Sequence, residues 1–118
     1  MQFNFLFCHS LMFWSDWGVS PRIERSALDG SQRRAIISEG VVWPNGLVID
    51  ASAKRIYWAD AKLDRIESAG LAGEERSQLV TSLPHPFGLA LVSTRALLLQ
   101  RCTVFLVKWG YFGVESFV

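Results

Sequence analysis

The chain has 118 residues, half of them hydrophobic, 13% aromatic and 19% charged, with a formal net charge of +1. That balance singles out no nucleic-acid, anionic-membrane or acidic partner, and Arg33, Arg34, Lys54, Arg55 and Arg76 are separated by Asp29, Glu39, Glu74 and Glu75 instead of forming a stripe. The length allows one modest core but not a closed ring of four-stranded blades, which needs roughly 160 residues or more.

Residues 1–10 are apolar and divergent, without the basic segment or small-residue cleavage site of a secretory leader. Strands are predicted at 11–16, 22–26 and 34–38, where β-branched and aromatic residues gather between turn signals. Asp29-Gly30 suits a tight turn, because glycine permits a positive φ and aspartate can bond the adjacent backbone. Pro44-Asn45-Gly46 then introduces a second unit with strands at 46–50, 55–60, 65–68 and 76–81, and its corresponding tight turn is Ala72-Gly73. Pro84-His85-Pro86 introduces a third, and no helix of ordinary length fits between these signals. Past Leu91 the pattern fails. The segment 96–107 is too short and too charged to span a bilayer as a helix. Residues 92–118 are expected to be a divergent tail, with a degenerate further unit as the alternative.

The two units are copies. Phe13-Trp14-Ser15-Asp16 recurs 44 residues on as Tyr57-Trp58-Ala59-Asp60, Ile23-Glu24 recurs as Ile66-Glu67, and Trp43-Pro44-Asn45-Gly46-Leu47 as His85-Pro86-Phe87-Gly88-Leu89. A period in the forties is that of a four-stranded sheet unit that cannot bury its own faces and must stack on a neighbour.

Adjacent aromatics on a strand point to opposite faces, so Phe13, Trp14, Tyr57 and Trp58 are expected to pack between stacked sheets. Asp16 and Asp60 end equivalent strands and are expected to accept backbone N–H groups or an arginine. Asp50 and Asp64 lack the dense acidic loop of a calcium site, so no metal or other cofactor is expected. Ser10, Ser15 and His85 come without a nucleophile motif, so no enzyme is expected. Cys8 and Cys102 are either bridged or two separate thiols. Recognition is expected in the loops at strand ends: Trp43 and Asn45 at one unit, His85 and Phe87 at the next, and Trp17, Lys62 and Asp64 after the repeated motif. Trp43 leads, since tryptophan is a frequent hot spot, with plain packing as its alternative role.

The segments LMFWSDWG, RIERSALDG, WPNGLVID, RIYWAD, KLDRI and HPFGLAL resemble, in order, the YWTD or class B repeats of low-density lipoprotein receptor relatives, over about 11–91. The resemblance implies an all-β fold: a partial β-propeller of about two four-stranded antiparallel blades from a six-bladed ring. It also implies an extracellular or receptor-ectodomain setting and a non-enzymatic role in binding a protein ligand or neighbouring receptor modules. Trp43 and Lys62 match positions that face such partners. His85 matches a histidine that in receptors of this type aids acid-driven ligand release, whereas Asp64 stands where such receptors carry a second histidine. No EGF-like cysteine pattern accompanies the repeats. The expected function is therefore that of a protein-binding fragment, with self-association through open sheet edges. The alternative is a truncated or orphan isoform without independent function.

Overall fold

The computed structural model describes residues 6–8, 10–82, 86–96, 99–108 and 111–117, with side chains described over 10–82 and at Pro86 and Leu89. Three antiparallel meanders follow one another. The first sheet is β1 (Leu6–Cys8), β2 (Leu11–Asp16), β3 (Arg22–Ala27) and β4 (Arg34–Ile37), and the second is β5 (Pro44–Asp50), β6 (Arg55–Asp60), β7 (Arg65–Gly70) and β8 (Ser77–Val80). The third is β9 (Pro86–Ala96), β10 (Leu99–Lys108) and β11 (Tyr111–Phe117). The architecture is all-β with two four-stranded antiparallel sheets, and the described strands do not close into a ring.

The seven strands expected over 11–81 are all present within a residue or two of their expected limits. Two features lie outside those seven strands. The apolar residues ahead of the first motif supply β1, which pairs with β2 in the register Leu6↔Phe13 and Cys8↔Leu11 and gives the first sheet its fourth strand. The repeat pattern stops at residue 91, yet β9 runs through it and pairs along its length with β10. Aromatic motifs mark repeat identity, whereas pairing needs only strand-compatible residues, which 99–117 provide.

The paired turns behave as their glycines require. Gly30 and Gly73 have φ of 85° and 88°, and each donates its N–H to the carbonyl three residues back, Ala27 and Gly70. Asp29 reinforces the first turn by accepting the Ser31 N–H at 2.9 Å and its hydroxyl at 2.6 Å. A Cβ at Gly73 would also run into the carbonyl oxygen of Ile36, so this turn lies directly against the first sheet.

The side-chain period of two explains the core. Phe13, Ile23 and Ile37 share one face of the first sheet and meet Leu47, Ile56, Trp58 and Ala69 of the second, with Val41 from the crossing segment between them. The other face of the second sheet presents Ala59 and Ile66 with Val80 to Leu89 of β9. Phe13 and Tyr57 thus turn toward the following sheet and Trp58 toward the preceding one, while Trp14 lies on the face of the first sheet opposite the second. Phe13, Ile23, Ile56 and Trp58 are fully buried, and burial of a large apolar side chain is worth about 1.5–3 kcal/mol. The inter-sheet layer is accordingly the main stabilising term.

Phe13→Ala is expected to lower the unfolding free energy by about 3–5 kcal/mol in urea titrations. Leu28→Ala, on an exposed side chain, should change it by less than about 0.5 kcal/mol.

Candidate functional site: a clamped crossing segment and an exposed tryptophan corner

Residues 38–43 carry the chain from the first sheet to the second, and the second sheet binds them by backbone atoms. The carboxylate of Asp60, at the end of β6 and fully buried, accepts four N–H groups: Val42 at 2.7 Å, Trp43 at 3.2 Å, Lys62 at 3.0 Å and Leu63 at 3.0 Å. One acid thus ties the crossing segment to the β6–β7 turn, and charge-assisted bonds to backbone N–H are among the stronger ones. Arg76 donates to the carbonyls of Glu39 at 2.6 Å and Gly40 at 3.0 Å, and Arg65 donates to Gly40 at 2.6 Å. Asp16, the counterpart of Asp60, accepts the Gly18 N–H at 3.0 Å.

A second duplicated device lies behind these contacts. Arg33 lies 5.3 Å over the Trp14 ring and donates to Glu24 through Nε at 3.1 Å and Nη2 at 3.0 Å, while Trp14 Nε1 donates to the same carboxylate at 3.1 Å. In the second unit Arg76 lies 5.4 Å over Trp58 and donates to Glu67 through Nε and Nη2, both at 2.9 Å, with Arg65 Nε donating at 3.0 Å. Both carboxylates are buried, so these arginines supply the pairing that burial of a charge demands. The sequence reading missed this set. Its signal was present: Glu24 and Glu67 lie in matched Ile-Glu pairs, and Arg33 and Arg76 each follow nine residues later. The hydrogen bond from Arg33 is the chief cause holding the Glu24 carboxyl below its ordinary value of 4.5; burial opposes it, and Arg22 adds to the lowering.

The exposed corner forms where three loops meet. Trp43 in the crossing segment is 41% exposed, Trp17 of the β2–β3 turn contacts it edge-on at 6.3 Å and 61°, and Lys62 Nζ of the β6–β7 turn lies 5.4 Å from its ring. Val19, fully exposed, belongs to the same β2–β3 turn. Of the residues named from sequence, the fold therefore brings Trp43, Lys62 and Trp17 together. Asn45 is buried in β5, and Asp64 lies in the β6–β7 turn with φ of 53°. His85, the side chain of Phe87, and those of Cys8 and Cys102 lie outside the described residues. Phe13, Tyr57 and Trp58 are buried, and so is Trp14, which lies under Arg33 on the face of the first sheet away from the second. Among the described residues there is no group of three His, Cys, Asp or Glu placed to hold a metal, and no helix long and apolar enough to cross a membrane.

The family model of the low-density lipoprotein receptor repeat class B matches residues 10–51 and 54–91, more than half of the chain. Among curated proteins, the vitellogenin receptor Yl of Drosophila melanogaster is 45% identical over 82 residues, covering 69% of this chain and 4% of its own length. The human low-density lipoprotein receptor-related protein 5-like protein is 39% identical over 83 residues, covering 70% of this chain and 33% of its own. The mouse sortilin-related receptor is 48% identical over 76 residues, 64% of this chain and 3% of its own. The chain thus spans a third or less of these relatives. A chain in the crystal structure of a nidogen/laminin complex superposes with a TM-score of 0.64 at 22% identity, over 91% of this chain and 54% of that one, a likeness of fold.

Asp60→Asn places an amide NH2 among N–H donors and should cost at least about 3 kcal/mol in chemical denaturation, whereas Asp16→Asn should cost about 1 kcal/mol. A carboxyl whose folded pKa is lowered stabilises the fold fully above its unfolded pKa and loses that contribution as pH falls through the folded value. Stability should therefore decline as pH drops below 4.5, less steeply in Glu24→Gln, in acid titrations followed by circular dichroism.

Proposed function

The chain belongs to the low-density lipoprotein receptor class B repeat family, and from that membership we propose that it acts as a non-enzymatic protein-binding repeat unit whose contact surface is the Trp17–Trp43–Lys62 corner. Its sheets are consecutive blades of a YWTD-type propeller in this reading, and the partner is a protein ligand or a neighbouring receptor module. One observation carries the choice of surface: a tryptophan ring left in solvent, fixed by another indole and by a lysine, at the end of the sheets where the loops gather. A rigid aromatic loses little conformational freedom on binding and offers a large apolar area, which is why tryptophan recurs among binding hot spots. Lys62 adds a cation at the rim, where charge governs encounter rate and partner choice.

The test is titration of the 118-residue protein with an isolated EGF-like module of a class B receptor and, separately, with low-density lipoprotein particles. Saturable binding to one of them is expected, weakened about tenfold or more by Trp43→Ala while unfolding stability stays within about 1 kcal/mol. Equal binding by Trp43→Ala, or no saturable binding to either probe, would contradict the reading.

A further inference from the structure

The two units share their aromatic motifs, their tight turns and their arginine-covered acids, so a position where they differ in charge is one that the sheet itself does not require. One such position lies at the end of the first sheet away from the Trp17–Trp43–Lys62 corner. Pairing of β3 with β4 sets Arg25 directly across from Arg34. The same pairing of β7 with β8 sets Ser68 across from Ser77, each 43 residues on, and there the two hydroxyls lie 3.3 Å apart. Around them, Arg55 and Glu75 of the second unit correspond to Leu11 and Gln32 of the first. The second unit satisfies this position internally: Arg55 Nη2 donates to the Ser68 hydroxyl at 2.7 Å and to the Glu75 carbonyl at 3.0 Å.

The first unit does not. Leu11, Arg25, Ser26, Ala27, Gln32 and Arg34 line a cavity of about 240 Å³, in which both charges are positive. Like charges directly opposite one another on paired strands are destabilising. Half-buried Arg25 commits one N–H to the Leu71 carbonyl at 2.7 Å, out of the five that a guanidinium carries. Exposed Arg34 has no hydrogen bond or ion pair among the described residues. Glu74, which acts on Arg25 from the β7–β8 turn, has its Oε2 engaged by the Ala72 N–H at 2.9 Å. Burial first and then the Arg34 charge push the Arg25 guanidinium below its ordinary value, and Glu74 offsets them only in part. Leu11, packed against the core, gives the cavity an apolar wall, beside which charged hydrogen bonds gain strength.

We propose that this cavity is a binding site for a doubly charged tetrahedral oxyanion, phosphate or the phosphoryl group of a monoester, held between the guanidinium groups of Arg25 and Arg34 with the Gln32 amide as a further donor. Planar forks match the paired oxygens of such a group, and its two charges offset the repulsion across the strand pair. A carboxylate, singly charged, cancels only half of it. The site is separate from the corner proposed for protein binding, so either can fail without the other.

The test is titration of the 15N-labelled 118-residue protein with sodium phosphate, sodium sulfate and sodium acetate, at mildly alkaline pH and constant ionic strength so that general screening is held fixed. Saturation by phosphate and by its dianionic analogue sulfate is expected with Kd on the order of 1 mM, and acetate should bind at least about tenfold more weakly. The shifts should centre on the Nε–H groups of Arg25 and Arg34 and the side-chain amide of Gln32. Arg34→Ser, which installs the residue of the second unit, should weaken phosphate about tenfold while leaving unfolding stability unchanged or slightly raised. Gln32→Glu, which installs the second unit's acid beside the arginines, should weaken it similarly. Glucose 6-phosphate separates the two sources: affinity equal to that of phosphate assigns the site to a phosphoryl group on a larger molecule, and affinity about tenfold lower assigns it to the free ion. No saturation, equal affinity for acetate, shifts centred on Arg65 and Arg76, or phosphate binding unchanged in either variant would overturn the proposal.

Discussion

Everything in the described structure depends on the layer between the first two sheets. Neither sheet has a face that water would leave alone: Phe13, Ile23 and Ile37 on one and Leu47, Ile56 and Trp58 on the other are buried only because they meet. The crossing segment between them has backbone groups that neither sheet's ladder satisfies, and buried groups of that kind cost free energy unless bonded. Asp60, Arg65 and Arg76 satisfy them. Hydrophobic stacking and the grip on residues 38–43 are therefore two aspects of a single interface, and the loop that carries Trp43 is held by it.

That arrangement links packing to recognition. Trp43 N–H is bonded to Asp60, and its carbonyl accepts the Ala61 N–H at 3.1 Å, so the indole projects from a backbone fixed on both sides. Lys62 over the ring is positioned by its own N–H bond to the same carboxylate. A surface made this way is ordered before a partner arrives, which reduces the entropy lost on binding. The exposed corner is a consequence of the inter-sheet contact.

Much of this was legible in the residues. The duplicated aromatic-acid motif located both sheets, Asp29-Gly30 located a turn, and the matched Asp16 and Asp60 indicated backbone acceptors. Those inferences rest on local rules: side-chain period, glycine's access to positive φ, and the repeat length. Less legible was whatever depended on distant partners. Glu24 and Glu67 are single acids within strands, and only the folded stack shows that Arg33 and Arg76 cover both the acid and the ring. β1 was obscured because Leu6–Cys8 precedes any repeat signal, and β10 because Leu99-Gln100-Arg101-Cys102 stands where a motif was due. Asn45 looked like a loop residue beside Trp43, but the bulge between Pro44 and Leu47 draws it into β5.

The most direct test of the central claim is native-state hydrogen exchange of the amides of Val42, Trp43, Lys62 and Leu63. If the crossing segment and the two sheets are one interface, these amides exchange only through the same opening as Ile56 and Trp58, with the same free energy and denaturant dependence. Exchange of the four at unprotected loop rates, while β6 stays protected, would contradict the account.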